Sequence, residues 1–291
     1  DVDVVSLLGE LYSAGPDEIA LVHGTQEGNF LSLMAIRHRV QRAFGFLPEY
    51  EPIRVLPPSF ALPASVADRA TIARSSVLLA SNPNNPTGKY MSAHDLEELS
   101  EELEAVGSYA IIDSVFSDFV GLKLNLPLPN IIVTGSTSKF YTMSGVKLGW
   151  VVAERRLIQE VKGYADLVSP GPFEPEVKYA TRALAHKRWF EDRNAATISQ
   201  NEKELSRLDD VLHIQGMPIA FVASRCLEDS LSLANRLLEL GVMTIPGYYF
   251  GVKTGLRVGL GNVSPGDFKA ALEAIAQALA SCEDQKIKAS A

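Results

Sequence analysis

The sequence predicts an α/β fold around a mostly parallel sheet, followed by a smaller α+β domain. Three features carry that expectation. Short apolar runs alternate with helical patterns from about residue 19 to residue 155. Those runs lack clean period-two alternation, as strands covered on both faces do. Beyond about residue 155 a long helical region replaces the alternation.

Ile19-Ala20-Leu21-Val22 reads as the first strand, followed by Gly24-Thr25 and a helix through about Arg39. The proline-rich stretch 44–63 takes no assignment. Residues 76–80 form the next strand, and the loop Asn82-Pro83-Asn84-Asn85-Pro86-Thr87-Gly88 leads to a helix over 92–106. Ser92 and Asp95 have the spacing of a capping box, and Leu96, Leu99 and Leu103 fall on one helical face. Ala110-Ile111-Ile112-Asp113 and Ile131-Ile132-Val133-Thr134 are two further buried strands. Residues 148–152 follow too soon for a helical crossover, so that strand is expected to run antiparallel to a neighbour. Helix is expected over 177–208, strand over 219–223, helix over 230–240, strands over 242–245 and 256–260, and helix over 265–280. The expected domains are residues 1–190 and 191–291. There is no internal repeat and no low-complexity segment.

With 291 residues, 46% of them apolar, the chain can bury a large core. A net charge of −8 argues against a nucleic-acid partner, which needs a basic face. No apolar run approaches the ~20 residues of a membrane span. The start, Asp1-Val2-Asp3, has no basic n-region or cleavage pattern, and it lacks Met, so a preceding piece is expected to be missing. A cytoplasmic protein is expected. Cys226 and Cys282 are far apart and read as buried or incidental thiols. The histidines show no metal-binding spacing, so no metal site is expected, and Gly251-Val252-Lys253-Thr254-Gly255 does not have the spacing of a phosphate-binding P-loop.

In a parallel α/β sheet ligands collect at the carboxyl ends of the strands. The polar residues there are Gly24-Thr25-Gln26, Asn85, Asp113 and Gly135-Ser136-Thr137-Ser138-Lys139. Serine hydroxyls and backbone N–H groups can hold a phosphate. Lys139, expected to be partly desolvated with a lowered pKa, could act as an amine nucleophile. Lys147 supplies a second cation eight residues on. Each feature alone has an ordinary alternative: a solvated loop lysine, a helix cap at Gly24-Thr25, a strand-end cap at Asp113, an Asx turn at 82–88, a surface Tyr50, an exposed strand Arg257.

Together, these motifs resemble the class I/II aminotransferases, fold-type-I enzymes that use pyridoxal phosphate. Ser136-Thr137-Ser138-Lys139 matches that family's Ser-x-Ser-Lys, and Gly145-Val146-Lys147-Leu148-Gly149 its Gly-x-Arg-x-Gly, with Lys147 in place of Arg. Residues 82–88 match Asn-Pro-x-Asn-Pro-Thr-Gly at every position, and Asp113 stands at the end of the next strand. The resemblance runs from about Ile19 to Gly261. It implies a seven-stranded sheet in the large domain and pyridoxal 5′-phosphate held on Lys139 as a Schiff base. It further implies that Asp113 keeps the pyridine nitrogen protonated. Gly24, Thr25, Gln26, Ser136, Ser138 and Lys147 would form a phosphate cup. Tyr50, in a Pro-x-Tyr-x-Pro context, would stack on the ring. Asn85 would bond the phenolate oxygen and contribute to substrate binding, and Arg257 would take the α-carboxylate. Phe116 stands where the family has a phenolate-bonding Tyr. The implied reaction moves an amino group between an L-amino acid and a 2-oxo acid, in a homodimer. A carbon–sulfur β-lyase, cyclase or synthase on the same fold would use the same Lys139. A binding or regulatory domain would carry an additional basic DNA-binding segment, which this chain lacks.

Overall fold

The structure is a computed structural model that describes residues 3–66, 73–169, 171–223 and 228–289, with side chains described to residue 281. Cys226 and the side chain of Cys282 lie outside the described residues. The chain divides into two compact units. One comprises residues 1–46, 52–83 and 90–190, and the other 47–51, 84–89 and 191–291, so each is discontinuous in sequence.

The first unit is built on seven strands: β1 (Ile19–Val22), β2 (Arg42–Gly45), β3 (Ala64–Val66), β4 (Ser76–Ser81), β5 (Tyr109–Asp113), β6 (Ile131–Ser136) and β7 (Gly149–Val152). Their order in the sheet is β1-β7-β6-β5-β4-β2-β3. Only β7 is antiparallel to its neighbours, as its short connection requires. Every residue of β4 and of β6 is buried, because helices cover both faces. Helix α1 (Val4–Tyr12) is capped by Asp3 and buries Val4, Leu8 and Tyr12. The Tyr12 hydroxyl accepts the Trp150 indole N–H at 3.0 Å. Helix α2 (Thr25–Ile36) packs across β5, β6 and β7.

Residues 44–63, which the sequence left unassigned, hold the end of β2 and α3 (Glu51–Ser59), and β3 follows directly. β3 is the short edge strand of the sheet and β2 the short strand beside it, and α3 carries Pro57 and Pro58 internally, so neither periodicity nor breaker rules find them. Helix α4 (Ala93–Val106) starts with the expected reciprocal Ser92–Asp95 bonds and buries Leu96, Leu99 and Leu103. After α5 (Arg155–Val168), the helical region expected over 177–208 consists of two helices, α6 (Glu174–Ala185) and α7 (Lys187–Glu202). His186 leaves helical geometry between them, at φ −111° and ψ 30°.

The second unit contains a four-stranded antiparallel sheet in the order β10-β11-β9-β8, from β8 (Val211–Leu212), β9 (Ile219–Val222), β10 (Ile245–Pro246) and β11 (Leu256–Gly259). Helices α8 (Ser230–Glu239) and α9 (Pro265–Ala289) accompany it. The strand expected over 242–245 is reduced to β10. The Val242 N–H closes the end of α8 on the Leu237 carbonyl at 2.9 Å, and is therefore lost to a ladder. Among the described residues no helix is long and apolar enough to cross a membrane.

Candidate active site

Strands β1, β5 and β6 deliver their carboxyl ends to one side of the first unit's sheet. After β1 the chain turns at Gly24, whose φ of +87° is the left-handed region that disfavours a side chain. The turn needs a second bare position. A Cβ on Gly149 would lie 2.4 Å from Gly24 Cα, so β7 and the turn touch only because both residues are glycine. No side chain caps α2. The N–H groups of Thr25 and Gln26 thus stand at a helix N-terminus, where the helix itself does not bond them and its dipole favours an anion.

Lys147 lies over this turn. Its Cδ and Cε come within 3.2 and 3.3 Å of where a Gly24 Cβ would be. A clasp at the base of the 137–148 loop holds it there: Thr137 N–H to the Leu148 carbonyl at 2.9 Å, and Leu148 N–H to Thr137 Oγ1 at 3.1 Å. The same loop carries Ser138 and Lys139, and Ser136 Oγ and Ser138 Oγ are 2.7 Å apart. Lys139 itself is exposed. That corrects the expectation of partial desolvation: the loop lifts this side chain out of the packed layer instead of burying it.

Asp113, at the end of β5, is 3% exposed. It accepts the Val115 N–H at 3.1 Å and the Asn29 amide at 3.2 Å. Burial pushes its pKa above the ordinary carboxylate value. The Val115 N–H, the Asn29 and Thr25 side chains and the positive charge of Lys139 oppose that rise. The sign for stability follows: a carboxyl raised in the fold favours folding fully below its unfolded pKa, and that contribution is lost as pH rises through the raised value. An ionised Asp113 at neutral pH therefore costs the fold stability, which is what a group retained for chemistry does.

The Asn/Pro loop shares its work among three asparagines. Asn82 closes it at the base, donating to the Met91 carbonyl at 3.0 Å and accepting the Met91 N–H at 2.7 Å. Asn84 shapes it, accepting the Thr87 hydroxyl at 2.6 Å and donating to the Pro48 carbonyl at 3.1 Å and to the Glu49 carboxylate at 3.3 Å. Asn85, 5% exposed, accepts Arg257 Nη1 at 3.0 Å. Arg257 stands on β11 with its guanidinium 5.4 Å from the Phe250 ring centre. Burial lowers its pKa, opposed by Tyr50, and among the described residues no carboxylate acts on it. A partly desolvated guanidinium whose hydrogen-bond partner among the described residues is an amide, not a carboxylate, suits a ligand carboxylate.

Of the residues singled out in the sequence, Gly24, Thr25, Gln26, Asp113, Phe116, Ser136, Ser138, Lys139 and Lys147 belong to the first unit. Tyr50, Asn85 and Arg257 belong to the second, where Tyr50 is half-buried and held through its N–H by the Glu49 carboxylate at 2.7 Å. Phe116 is buried, and its ring packs on Phe119 at 5.9 Å. Sequence reasoning missed Glu49, Asn29 and Thr134. A buried Asn one helical turn after Thr25 is a signal that could have found Asn29. Thr134 is visible only from the strand register that sets it beside Asp113.

The first unit's donor set fits pyridoxal phosphate. An uncapped helix N-terminus, two hydroxyls and a lysine suit a phosphate dianion, a buried carboxylate suits a ring nitrogen, and an exposed amine suits an aldehyde.

The sequence model described as "Aminotransferase class I and II" matches residues 61–275. Histidinol-phosphate aminotransferase 2 of Legionella pneumophila (strain Lens) is 26% identical over 202 residues, covering 65% of this chain and 53% of that protein. Threonine-phosphate decarboxylase of Pseudomonas aeruginosa is 29% identical over 199 residues, 63% of this chain and 55% of that protein. The chain spans about half the length of these curated relatives. The solved structure of a pyridoxal-phosphate-dependent aminotransferase from Streptococcus suis superposes with a TM-score of 0.82 at 24% identity, covering 96% of this chain and 81% of that one, and so shares its fold.

Proposed function

This chain belongs to the class I and II aminotransferase family, whose members depend on pyridoxal phosphate, and on that premise we propose that it moves an amino group between an L-amino acid and a 2-oxo acid. One observation carries the reading. The buried carboxylate of Asp113, acted on by Thr25, Asn29 and the charge of Lys139, stands at the strand ends that also present the uncapped α2 N-terminus.

Pyridoxal phosphate supplies an electron sink for the substrate's α-carbon. The chain's residues do the rest. Lys139 Nζ would hold the cofactor and, as a free amine, would move the proton at the substrate's α-carbon. Asp113 would keep a proton on the ring nitrogen. Gly24, Thr25, Gln26, Ser136, Ser138 and Lys147 anchor the phosphate. By the family resemblance, Tyr50 would stack on the ring, Asn85 would donate to its phenolate oxygen, and Asn85 with Arg257 would take the substrate's carboxylate.

The test is a half-reaction. Amino acid added alone, from a panel that includes the histidinol phosphate named for the Legionella relative, should convert bound cofactor to pyridoxamine phosphate in stoichiometric amount. The Pseudomonas relative's name gives the second reading, a decarboxylase. Carbon dioxide release without pyridoxamine phosphate would replace the first reading by that one. A released thiol or ring-closed product would instead indicate a lyase or cyclase.

We also propose a homodimer, the form that the family resemblance implies. Sedimentation that finds only monomer in an active, cofactor-loaded sample rejects it.

Phe116 gives a spectroscopic prediction. A Tyr there would donate a hydrogen bond to the cofactor's phenolate oxygen, and Phe cannot. The more negative oxygen then holds its neighbouring proton more tightly. The pH midpoint of the cofactor's visible band is expected to be about one unit higher in the wild type than in Phe116→Tyr, the equivalent of one modest hydrogen bond. An equal or higher midpoint in the Tyr variant would show that position 116 does not address the oxygen.

A further inference from the structure

Two residues outside the family motifs connect to Asp113 in series. Strand register sets Thr134 of β6 directly beside Asp113 of β5, so both side chains leave the same face of the sheet. Helix α2 covers that face and sends Asn29 between them. The Thr134 hydroxyl donates to Asn29 Oδ1 at 2.7 Å, and Asn29 Nδ2 donates to Asp113 Oδ2 at 3.2 Å. Thr134 is fully buried and Asn29 is 5% exposed.

Neither residue suits its local position. Asn is a weaker helix former than Leu, and at a buried site on α2 it gives up apolar burial as well. Thr in the middle of a buried strand is Val with one methyl exchanged for a hydroxyl, which costs free energy unless the hydroxyl is bonded. Local rules broken together at touching positions point to a functional demand.

We propose that Thr134 and Asn29 form an orienting relay that fixes Asp113 as an ionised hydrogen-bond acceptor for the cofactor ring. The proposal rests on the reading of Asp113 as the carboxylate at the ring nitrogen. A primary amide between two partners has two orientations. In the one observed, the hydroxyl donates to the amide oxygen, which turns the amide N–H toward Asp113. The flipped amide would direct its oxygen at Asp113, which is tolerable only if that carboxyl carries a proton. Amide orientation and carboxyl charge are therefore coupled, and a Thr134 hydroxyl that donates selects the ionised form. Burial pushes Asp113 toward protonation; the relay, the Val115 N–H, Thr25 and Lys139 push it back. The groups facing Asp113 are thus Thr25 and Asn29 from α2, Val115 from its own strand end, Lys139 from the loop after β6, and the buried Tyr12 phenol of α1, which burial and the Asp113 charge hold in its neutral form. In this scheme Asn29 and Thr134 are positioning residues that touch neither substrate nor cofactor.

The test uses cofactor-free protein with 13C-labelled aspartate carboxyls, the Asp113 signal being identified by its loss in Asp113→Asn. The titration midpoint of Asp113 should move upward in Asn29→Leu, and upward by less in Thr134→Val. Thr134→Ser, which keeps the hydroxyl, should restore the wild-type midpoint. The double variant Asn29→Leu/Thr134→Val should shift no further than Asn29→Leu alone, because the two act in series. Pyridoxal phosphate binding, followed by absorbance across pH, should weaken about tenfold at neutral pH in Asn29→Leu, the effect of one lost hydrogen bond to a charged group. If Thr134→Val and Thr134→Ser leave the midpoint equally unmoved, or if the double variant shifts by the sum of the singles, the relay is overturned. If wild-type protein binds no pyridoxal phosphate, the reading of the site fails instead, and the carboxyl titration still decides the relay.

Discussion

Replacing Lys139 with alanine is expected to lower transamination by about 10²–10⁴-fold, the range for loss of a positioned acid–base group, with the fold retained. The side chain is exposed near the start of the loop that Thr137 and Leu148 close, so its loss opens no core cavity and leaves the clasp in place. The cofactor should still bind through the phosphate cup and Asp113, without the covalent link. Steady-state turnover, the visible spectrum of the loaded protein and its melting curve separate these effects. Turnover within about tenfold of wild type would remove Lys139 from the reaction. A collapse of the melting temperature would mean that the loop is structural.

Arg257→Gln is expected to weaken amino-acid binding by about thirtyfold to a few thousandfold, corresponding to the roughly 2–5 kcal/mol lost when one partner of a desolvated charge pair is truncated. The guanidinium presents a planar fork that a carboxylate can meet with both oxygens, and an amide presents one donor group. Cofactor affinity should be nearly unchanged. The amide of the variant retains a donor for Asn85 Oδ1, the one hydrogen bond that Arg257 makes among the described residues. Separate titrations with substrate and with pyridoxal phosphate make the distinction. Unchanged substrate affinity with lost cofactor would reassign Arg257 to holding the cofactor.

The two predictions differ in how their residues could be found. The lysine is marked by local sequence, since Ser-x-Ser-Lys directly follows the buried strand that becomes β6. Arg257 has only a Pro-Gly turn before it and glycines around it. Its significance depends on Asn85, which lies 172 positions away in the sequence and 3.0 Å away in space.

By itself the sequence determined the α/β class, the antiparallel β7, the capped and amphipathic α4, and the order of the cofactor motifs. Each of these is written in neighbouring residues: continuous apolar runs, a connection too short to cross over, Ser and Asp three apart, Asn-Pro and Ser-Lys clusters at strand ends. Only the tertiary structure decided the rest, because the deciding contacts join residues far apart in the chain. The short elements β2, α3 and β3, at one end of the sheet, lie where burial is partial and proline blurs periodicity. His186 breaks a helix that has no proline or glycine at the break. The strand expected at 242–245 lost the Val242 N–H to the end of α8. Lys139 came out exposed because a clasp between Thr137 and Leu148 sets the path of its loop. Asn29 reaches Asp113 because α2 packs on that face of the sheet, and Thr134 joins them because parallel register sets it beside Asp113 across 21 positions of sequence. Side-chain identity shows that a threonine can donate a proton; the fold determines which acceptor receives it.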